Sequence, residues 1–360
     1  MLKSKIFKII YKFLNIILSS IILIYILIIL ILFYLGPIET FIVKQKLKKN
    51  NPNIIVSFTT TPYRINQIKP VLDSIIRQSI KPNKIYVNIP WKFKRDNSLY
   101  IIPEWLKNYP NVIINRTRDY GPGTKIVATL EKVHDPNAII ITFDDDKFYP
   151  KHTVRDLAKQ YLVQPNAAFT GGGLNFLFGP NHTFTSEWVG LNGKPSLVVI
   201  GALGAAYKRN LFKEDIFGLV NSLPLSCFLS DDLMISAYLI ANNINIFRIS
   251  SISFDPFIEK VLLRDLPSAF TIDALSYGAN GVANGSNESN YCYCLEALGS
   301  NNSTLKYQKA IFNKSKSIHD FLSSDIYNIK VSIIQLRTYF LEQLLEILPF
   351  FKQLIILFLG

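Results

Sequence analysis

From residue 53 to residue 252, short apolar runs alternate with segments whose apolar positions recur at a period of about 3.6. Ile54–Phe58 reads as a strand, and Ile68–Ile80 as a helix with Val71, Leu72, Ile75 and Ile76 on one face. Lys84–Ile89 is the next predicted strand and Val112–Asn115 a short one, followed by a helix over Lys125–Val133. Ile139–Phe143 is apolar throughout, as a strand covered on both faces must be. A helix over His152–Val163 follows, and Ala167–Thr170 leads into Gly171-Gly172-Gly173. Strand–helix–strand repetition predicts right-handed crossovers and an α/β fold, Rossmann-like, with a mostly parallel sheet and flanking helices.

The two ends follow other patterns. No charged residue occurs from Phe13 to Ile38, and Ile21–Leu35 is almost wholly aliphatic. Such a run is long enough to cross a hydrocarbon core about 30 Å thick. It predicts a single-pass anchor over 13–38, between a basic tail at 1–12 and a basic stem at 39–52. Lysines at 3, 5, 8 and 12 balance those at 44, 46, 48 and 49, so charge does not set the orientation. The last segment, 329–360, has helical apolar spacing interrupted by Pro349 and by charges. It predicts an amphipathic helix lying on the membrane, on a partner or on the domain. Between them, 253–328 reads as an irregular extension, with 53–252 as the core domain.

Mean hydropathy of +0.21, a net charge of +13 and a pI near 9.4 change this picture little. The basic excess flanks the apolar run, where it suits anionic lipid headgroups. No helix-turn-helix, zinc-finger or RNP pattern points to nucleic acid. Sequons at Asn115, Asn181, Asn284, Asn287, Asn301, Asn302 and Asn313 favour a lumenal glycoprotein. The three cysteines lack zinc spacing. Cys227 bridged to Cys292 or Cys294, and three free thiols, both stay open.

Polar chemistry collects where strands end. Asp144-Asp145-Asp146 directly follow the most apolar strand. Carboxylates there are costly to bury without a balancing cation, and oxygen ligands with phosphate are how Mg²⁺ or Mn²⁺ is held. The competing reading is an N-cap for the next helix. Thr59-Thr60-Thr61-Pro62-Tyr63-Arg64 follows the first strand and suits a nucleobase or diphosphate, or ordinary capping. Arg116 to Lys125 contains Gly121-Pro122-Gly123 before a helix, with the spacing of neither a Walker loop nor a dinucleotide fingerprint. Ser230-Asp231-Asp232 opens an apolar helix, where the helix dipole is expected to keep a carboxylate ionised. That pair reads as a general base or as an acidic cap.

Taken in order, Thr-Thr-Pro-x-Arg, Asp-x-Gly-Pro-Gly-x-Lys, Asp144-Asp145-Asp146, a Gly-rich segment and Asp231-Asp232 resemble the GT-A nucleotide-sugar glycosyltransferases, nearest the family 2-like group. The resemblance covers Asn53 to Arg248. It implies a DXD motif with Asp144 and Asp146 on a divalent metal, Mn²⁺ or Mg²⁺, and Asp145 near the nucleotide. It implies Asp232, with Asp231 beside it, as the base that deprotonates the acceptor hydroxyl. Thr59, Thr60, Arg64, Asp119 and Lys125 would contact the donor, a UDP-sugar by default. Gly201-Ala202-Leu203-Gly204-Ala205 would approach the donor sugar. The second strand ends Asn88-Ile89-Pro90-Trp91, without the acidic residue that many relatives carry there, and Asp119 would take over contact with the base or ribose.

The implied activity is membrane-anchored transfer of a sugar, with inversion, onto a glycan, protein or lipid acceptor. The implied location is a single-pass membrane protein, lumenal in the ER or Golgi manner if eukaryotic and inner-membrane associated otherwise. Two other classes are a catalytically inactive nucleotide-sugar-binding scaffold and a nucleotidyltransferase. The second would need a Gly-rich basic loop after the first strand, and Thr59–Arg64 contains no glycine.

Overall fold

The computed structural model describes residues 19–20, 23, 37–178, 184–188, 194–223, 227–249, 266 and 287–322. The chain divides into two units, Met1–Lys49 and Asn50–Gly360. In the first, the described residues are helical; α1, the run over 37–50, ends at the first residue of the second unit. Among the described residues no helix is long and apolar enough to cross a membrane. The predicted anchor, 13–38, lies outside them except at 19, 20, 23, 37 and 38, and the predicted C-terminal segment 329–360 lies outside them entirely.

The second unit is built on a nine-stranded mixed sheet in the order β3-β2-β1-β4-β8-β5-β9-β7, with β6 paired to β5. Its strands are β1 (Ile54–Thr59), β2 (Lys84–Pro90), β3 (Val112–Thr117), β4 (Ile139–Thr142), β5 (Ala168–Phe178), β6 (Phe184–Trp188), β7 (Lys194–Pro195), β8 (Val198–Lys208) and β9 (Ile246–Arg248). The first four in sequence are parallel, and β1 lies between β2 and β4. The chain therefore winds outward from β1 to β3, then returns to β1's other side. Such a reversal opens a crevice beyond the carboxyl ends of β1 and β4.

The second half of the sheet departs from the parallel expectation. β8 runs antiparallel to β4, pairing Thr142 with Ala205, and β5 runs antiparallel to β8. An antiparallel neighbour brings the residues just before Ala205 alongside those just after Thr142. Gly201–Gly204 thus flank Asp144–Asp146. The Gly-rich run at 171–173 is itself strand, inside β5, with a register shift between Thr170 and Gly172.

The predicted helices form but are shorter. α2 spans Lys69–Ile76 and ends before Ile80. Gln78 is fully buried; its amide donates to the Tyr149 and Pro150 carbonyls (3.1 and 2.8 Å) and accepts from Val154 N (2.9 Å), which draws the chain out of the helix. A short helix, α3, covers Glu104–Lys107. α4 (Thr124–Leu130) is buried along its whole length. α5 (Thr153–Ala158) tightens into a 3₁₀ turn over Lys159–Leu162. α6 (Asp215–Ser222) and α7 (Asp231–Ala241) follow.

Within the segment read as irregular, α8 (Asn287–Ser300) and α9 (Leu305–Leu322) are regular helices. α9 packs against α7 and β5. Tyr291, Leu295, Leu298, Tyr307 and Ile311 join the core formed by β1, β4, β8 and α7. Each such apolar side chain contributes roughly 1.5–3 kcal/mol relative to exposure. A disulfide, Cys227–Cys294, ties the turn before α7 to α8. Cys292 is half-buried and lies outside that disulfide.

Candidate active site

The carboxyl end of β4 turns out of the sheet at Phe143, whose N–H donates to the Ser57 carbonyl (2.9 Å). Phe143 stacks on Tyr149, ring centroids 3.7 Å apart. The Tyr149 hydroxyl accepts from Asp144 N (2.7 Å) and donates to the Ala202 carbonyl (3.1 Å), so one phenol couples the acidic turn to β8. Gly204 sits at φ +94°, and a Cβ there would lie 2.8 Å from the Phe143 ring. Both restrictions select glycine.

The three aspartates are held by two cations. Lys125 Nζ lies 2.8 Å from Asp144 Oδ1 and 3.0 Å from Asp231 Oδ2. Arg64 Nη1 lies 3.0 Å from Asp145 Oδ1 and 2.8 Å from Asp146 Oδ2. The N-cap position of α5 is His152, and the first-turn N–H of Val154 goes to Gln78 Oε1 (2.9 Å), so the acidic run does not cap that helix. The same holds at α7, where Ser230 makes no cap bond. Asp232 Oδ1 instead accepts the Gly201 N–H across the crevice (3.1 Å), and its Oδ2 lies 3.5 Å from the Tyr291 hydroxyl. A Cβ on Gly201 would be 2.9 Å from Lys125 Nζ and 3.1 Å from Asp232 Oδ1. The two acidic clusters are one site.

Electrostatics follow from crowding. Burial pushes the Asp146 pKa up to about 7, helped by the charges of Asp145 and Asp144 and opposed by Arg64. Asp232 is driven well above the ordinary carboxylate range by burial first and by Asp231 second. The helix dipole therefore does not keep Asp232 ionised, as expected from its place in the first turn; desolvation outweighs it. For Asp144, burial also opposes ionisation, but Lys125 prevails and its pKa is lowered. Lys125 is itself desolvated, yet Asp144, Asp231 and Asp232 hold its pKa well above the usual value.

Five carboxylates thus face Arg64 and Lys125, with Lys147 acting on Asp144 and Asp146 from nearby. That excess of hard oxygen donors fits a divalent cation shared with phosphate oxygens. Among the described residues no group of three or more His, Cys, Asp or Glu side chains is arranged to hold a metal ion.

Other sequence-predicted residues lie around this centre. Thr59 Oγ1 donates to the Asn88 carbonyl (2.8 Å). Thr60 is buried, and its Oγ1 has no hydrogen-bond partner among the described residues. Asp119 is buried, and both its oxygens accept backbone N–H groups, from Lys94 (2.8 Å) and Gly121 (2.7 Å). Gly121, at φ +65°, packs so closely on the Phe228 carbonyl that a Cβ would come within 2.3 Å of its oxygen. The Gly-Pro-Gly turn therefore seats the approach to α7.

Beneath the site, Asn88 Nδ2 donates to Ser57 Oγ (2.9 Å) and Thr129 Oγ1 (3.0 Å), and Asn115 Nδ2 donates to Asn88 Oδ1 (2.8 Å). Ser57 Oγ in turn donates to the Lys125 carbonyl. Asn88 thus fixes α4, and with it Lys125. Asn115 is buried in this network, so its sequon is not open to a glycan. Sequence reasoning missed Tyr149 and Tyr291. Cys294, three residues after Tyr291, was the signal that could have placed the latter.

No protein-family model matches the chain. No curated protein matches it. Among solved structures, the chain is similar to S. aureus TarS 1–349, with 18% identity, TM-score 0.37, and 74% of this chain covered against 82% of that one. The complex of TarS 1–349 with UDP-GlcNAc gives 14%, 0.35, 74% and 82%. Against the longer S. aureus TarS structure the figures are 15%, 0.34, 62% and 42%, so this chain spans less than half of that one. A 4-diphosphocytidyl-2C-methyl-D-erythritol synthase gives 9%, 0.31, 57% and 91%. At such identities and scores, the function must be argued from this chain's own geometry.

Proposed function

We propose that this protein transfers a sugar from a nucleotide-diphosphate donor to an acceptor hydroxyl, with Asp232 as the general base. The observation that carries the reading is Lys125, which joins Asp144 of the β4 turn to Asp231 of α7 within 3.0 Å. It brings the two acidic pairs, distant in sequence, to one crevice at the sheet's switch point. In that reading Asp144 and Asp146 hold a divalent cation, Mn²⁺ or Mg²⁺. When bound, the cation supplies charge neutralisation for the leaving diphosphate. Thr60, buried and with no partner for its hydroxyl among the described residues, and Arg64 face the donor side.

Asp232 accepts the proton of the attacking hydroxyl. Its raised pKa makes it a stronger base than a solvated carboxylate, and Gly201 N–H holds one of its oxygens in place. Inversion follows from one base and direct attack. UDP is the default nucleotide, carried by the sequence resemblance. The disulfide and the exposed Asn301, Asn302 and Asn313 support placing this unit in an oxidising compartment, behind the anchor read from 13–38.

The test is release of UDP from UDP-glucose, UDP-galactose and UDP-N-acetylglucosamine by the full chain in detergent, with Mn²⁺ and with EDTA. Release that needs the metal and is lost in Asp146→Ala supports the reading. Absence of both binding and release contradicts it.

A further inference from the structure

Tyr291 lies in a segment that the sequence left without structure, yet its hydroxyl reaches Asp232. The ring is buried on α8, and the hydroxyl lies 3.5 Å from Asp232 Oδ2, on the oxygen that Gly201 does not bind. That is a long contact, as catalytic hydrogen bonds often are without substrate. One helical turn further along α8, Cys294 is bonded to Cys227. Cys227 stands just before Ser230-Asp231-Asp232, so the covalent link joins the two short segments that carry the phenol and the base.

The disulfide, Cys294 to Tyr291 on α8, and Cys227 to Asp232 form a closed ring whose remaining gap is the hydroxyl–carboxylate contact. Residues three apart on a helix share a face, so the bond that fixes Cys294 also fixes the direction of Tyr291. From the other side, the Phe228 carbonyl is braced by Gly121.

We infer that Tyr291 is a positioning residue for Asp232, and that the Cys227–Cys294 disulfide holds it in place. The inference rests on the reading of Asp232 as base. Tyr291 donates its O–H to the second oxygen of Asp232, which turns the carboxylate toward the crevice and favours its charged form. Tyr291 takes no part in binding the donor, whose contacts lie at the ends of β1 and β4. Opening the disulfide frees α8 to withdraw the phenol, so transfer becomes dependent on the thiol state of the chain.

The experiment uses the full chain in detergent, with turnover measured on whichever of the three UDP-sugars above the oxidised wild type consumes. Tyr291→Phe keeps the buried ring and removes only the hydroxyl. Its kcat should fall about tenfold, the scale of one hydrogen bond to a charged group, with KM for the UDP-sugar unchanged. The acid limb of its pH–rate profile should move to higher pH, which a purely structural role would not cause. Dithiothreitol, with Cys227 and Cys294 confirmed as thiols by alkylation, should lower wild-type kcat by a similar factor. It should add nothing in Tyr291→Phe, because both changes remove the same contact. Unchanged kcat in Tyr291→Phe, full activity after reduction, or additive losses would each overturn the inference while the transferase reading stands. Oxidised wild type that binds and turns over none of the UDP-sugars would instead overturn that reading, and this inference with it.

Discussion

At the scale of single residues, charge balance decides the behaviour of the site. Lys125 is buried between Asp144 and Asp231, and removing one partner of a buried pair leaves uncompensated charge. Lys125→Met is expected to lower stability by about 3 kcal/mol, read as a fall in the urea midpoint, and to abolish transfer. Asp232→Asn is expected to lower turnover by roughly 10²–10⁴-fold while UDP binding, measured calorimetrically, stays near wild type. The Asp232 pKa is raised by burial and by Asp231, so its ionised form is reached only above the usual carboxylate range. Activity should therefore fall as pH drops through that raised value, seen as an acid limb in the pH–rate profile well above pH 4. The sign for stability is opposite. A carboxyl whose folded pKa lies above its unfolded one contributes stability at low pH and loses it as pH rises through the folded value.

At the scale of elements, the legible parts were those with a strong period or an unbroken apolar run. β1, β2, β4, α2 and α4 formed near their predicted places, because Ile54–Phe58 and Ile139–Phe143 leave a strand little alternative. β8 and β5 were not read, since Gly171–Gly173 and Gly201–Ala205 hide a strand behind residues of low strand propensity. Tertiary contact explains them: Gly204 yields to the Phe143 ring and Gly201 to Lys125 and Asp232. Gly204→Ala must both hold φ near +94° and displace the Phe143 ring, and is expected to cost roughly 1–3 kcal/mol, checked by thermal unfolding. The acidic pairs were legible as chemistry, but their union through Lys125 was not, because it depends on β8 running antiparallel to β4. α8 was hidden by its weak amphipathic pattern in an Asn- and Ser-rich stretch, so Tyr291 could not be placed beside Asp232.

At the scale of the whole molecule, the second unit gathers the residues of the proposed site from the loop after β1, the start of α4, the turn after β4, the middle of β8, the start of α7 and α8. Elements so far apart in sequence are held together by the mixed sheet and by one disulfide whose cysteines are separated by 67 residues. Closing a loop of that length restricts the unfolded chain by roughly 4 kcal/mol in the chain-entropy picture. Whether Asp232 serves as the base for sugar transfer is decided by UDP release from UDP-sugars with the full chain, wild type against Asp232→Asn, at matched UDP binding and with Mn²⁺ present. Steady release by the wild type is expected, lost in Asp232→Asn with UDP affinity retained. Equal release by the two proteins, or no release and no UDP binding by the wild type, would contradict that role.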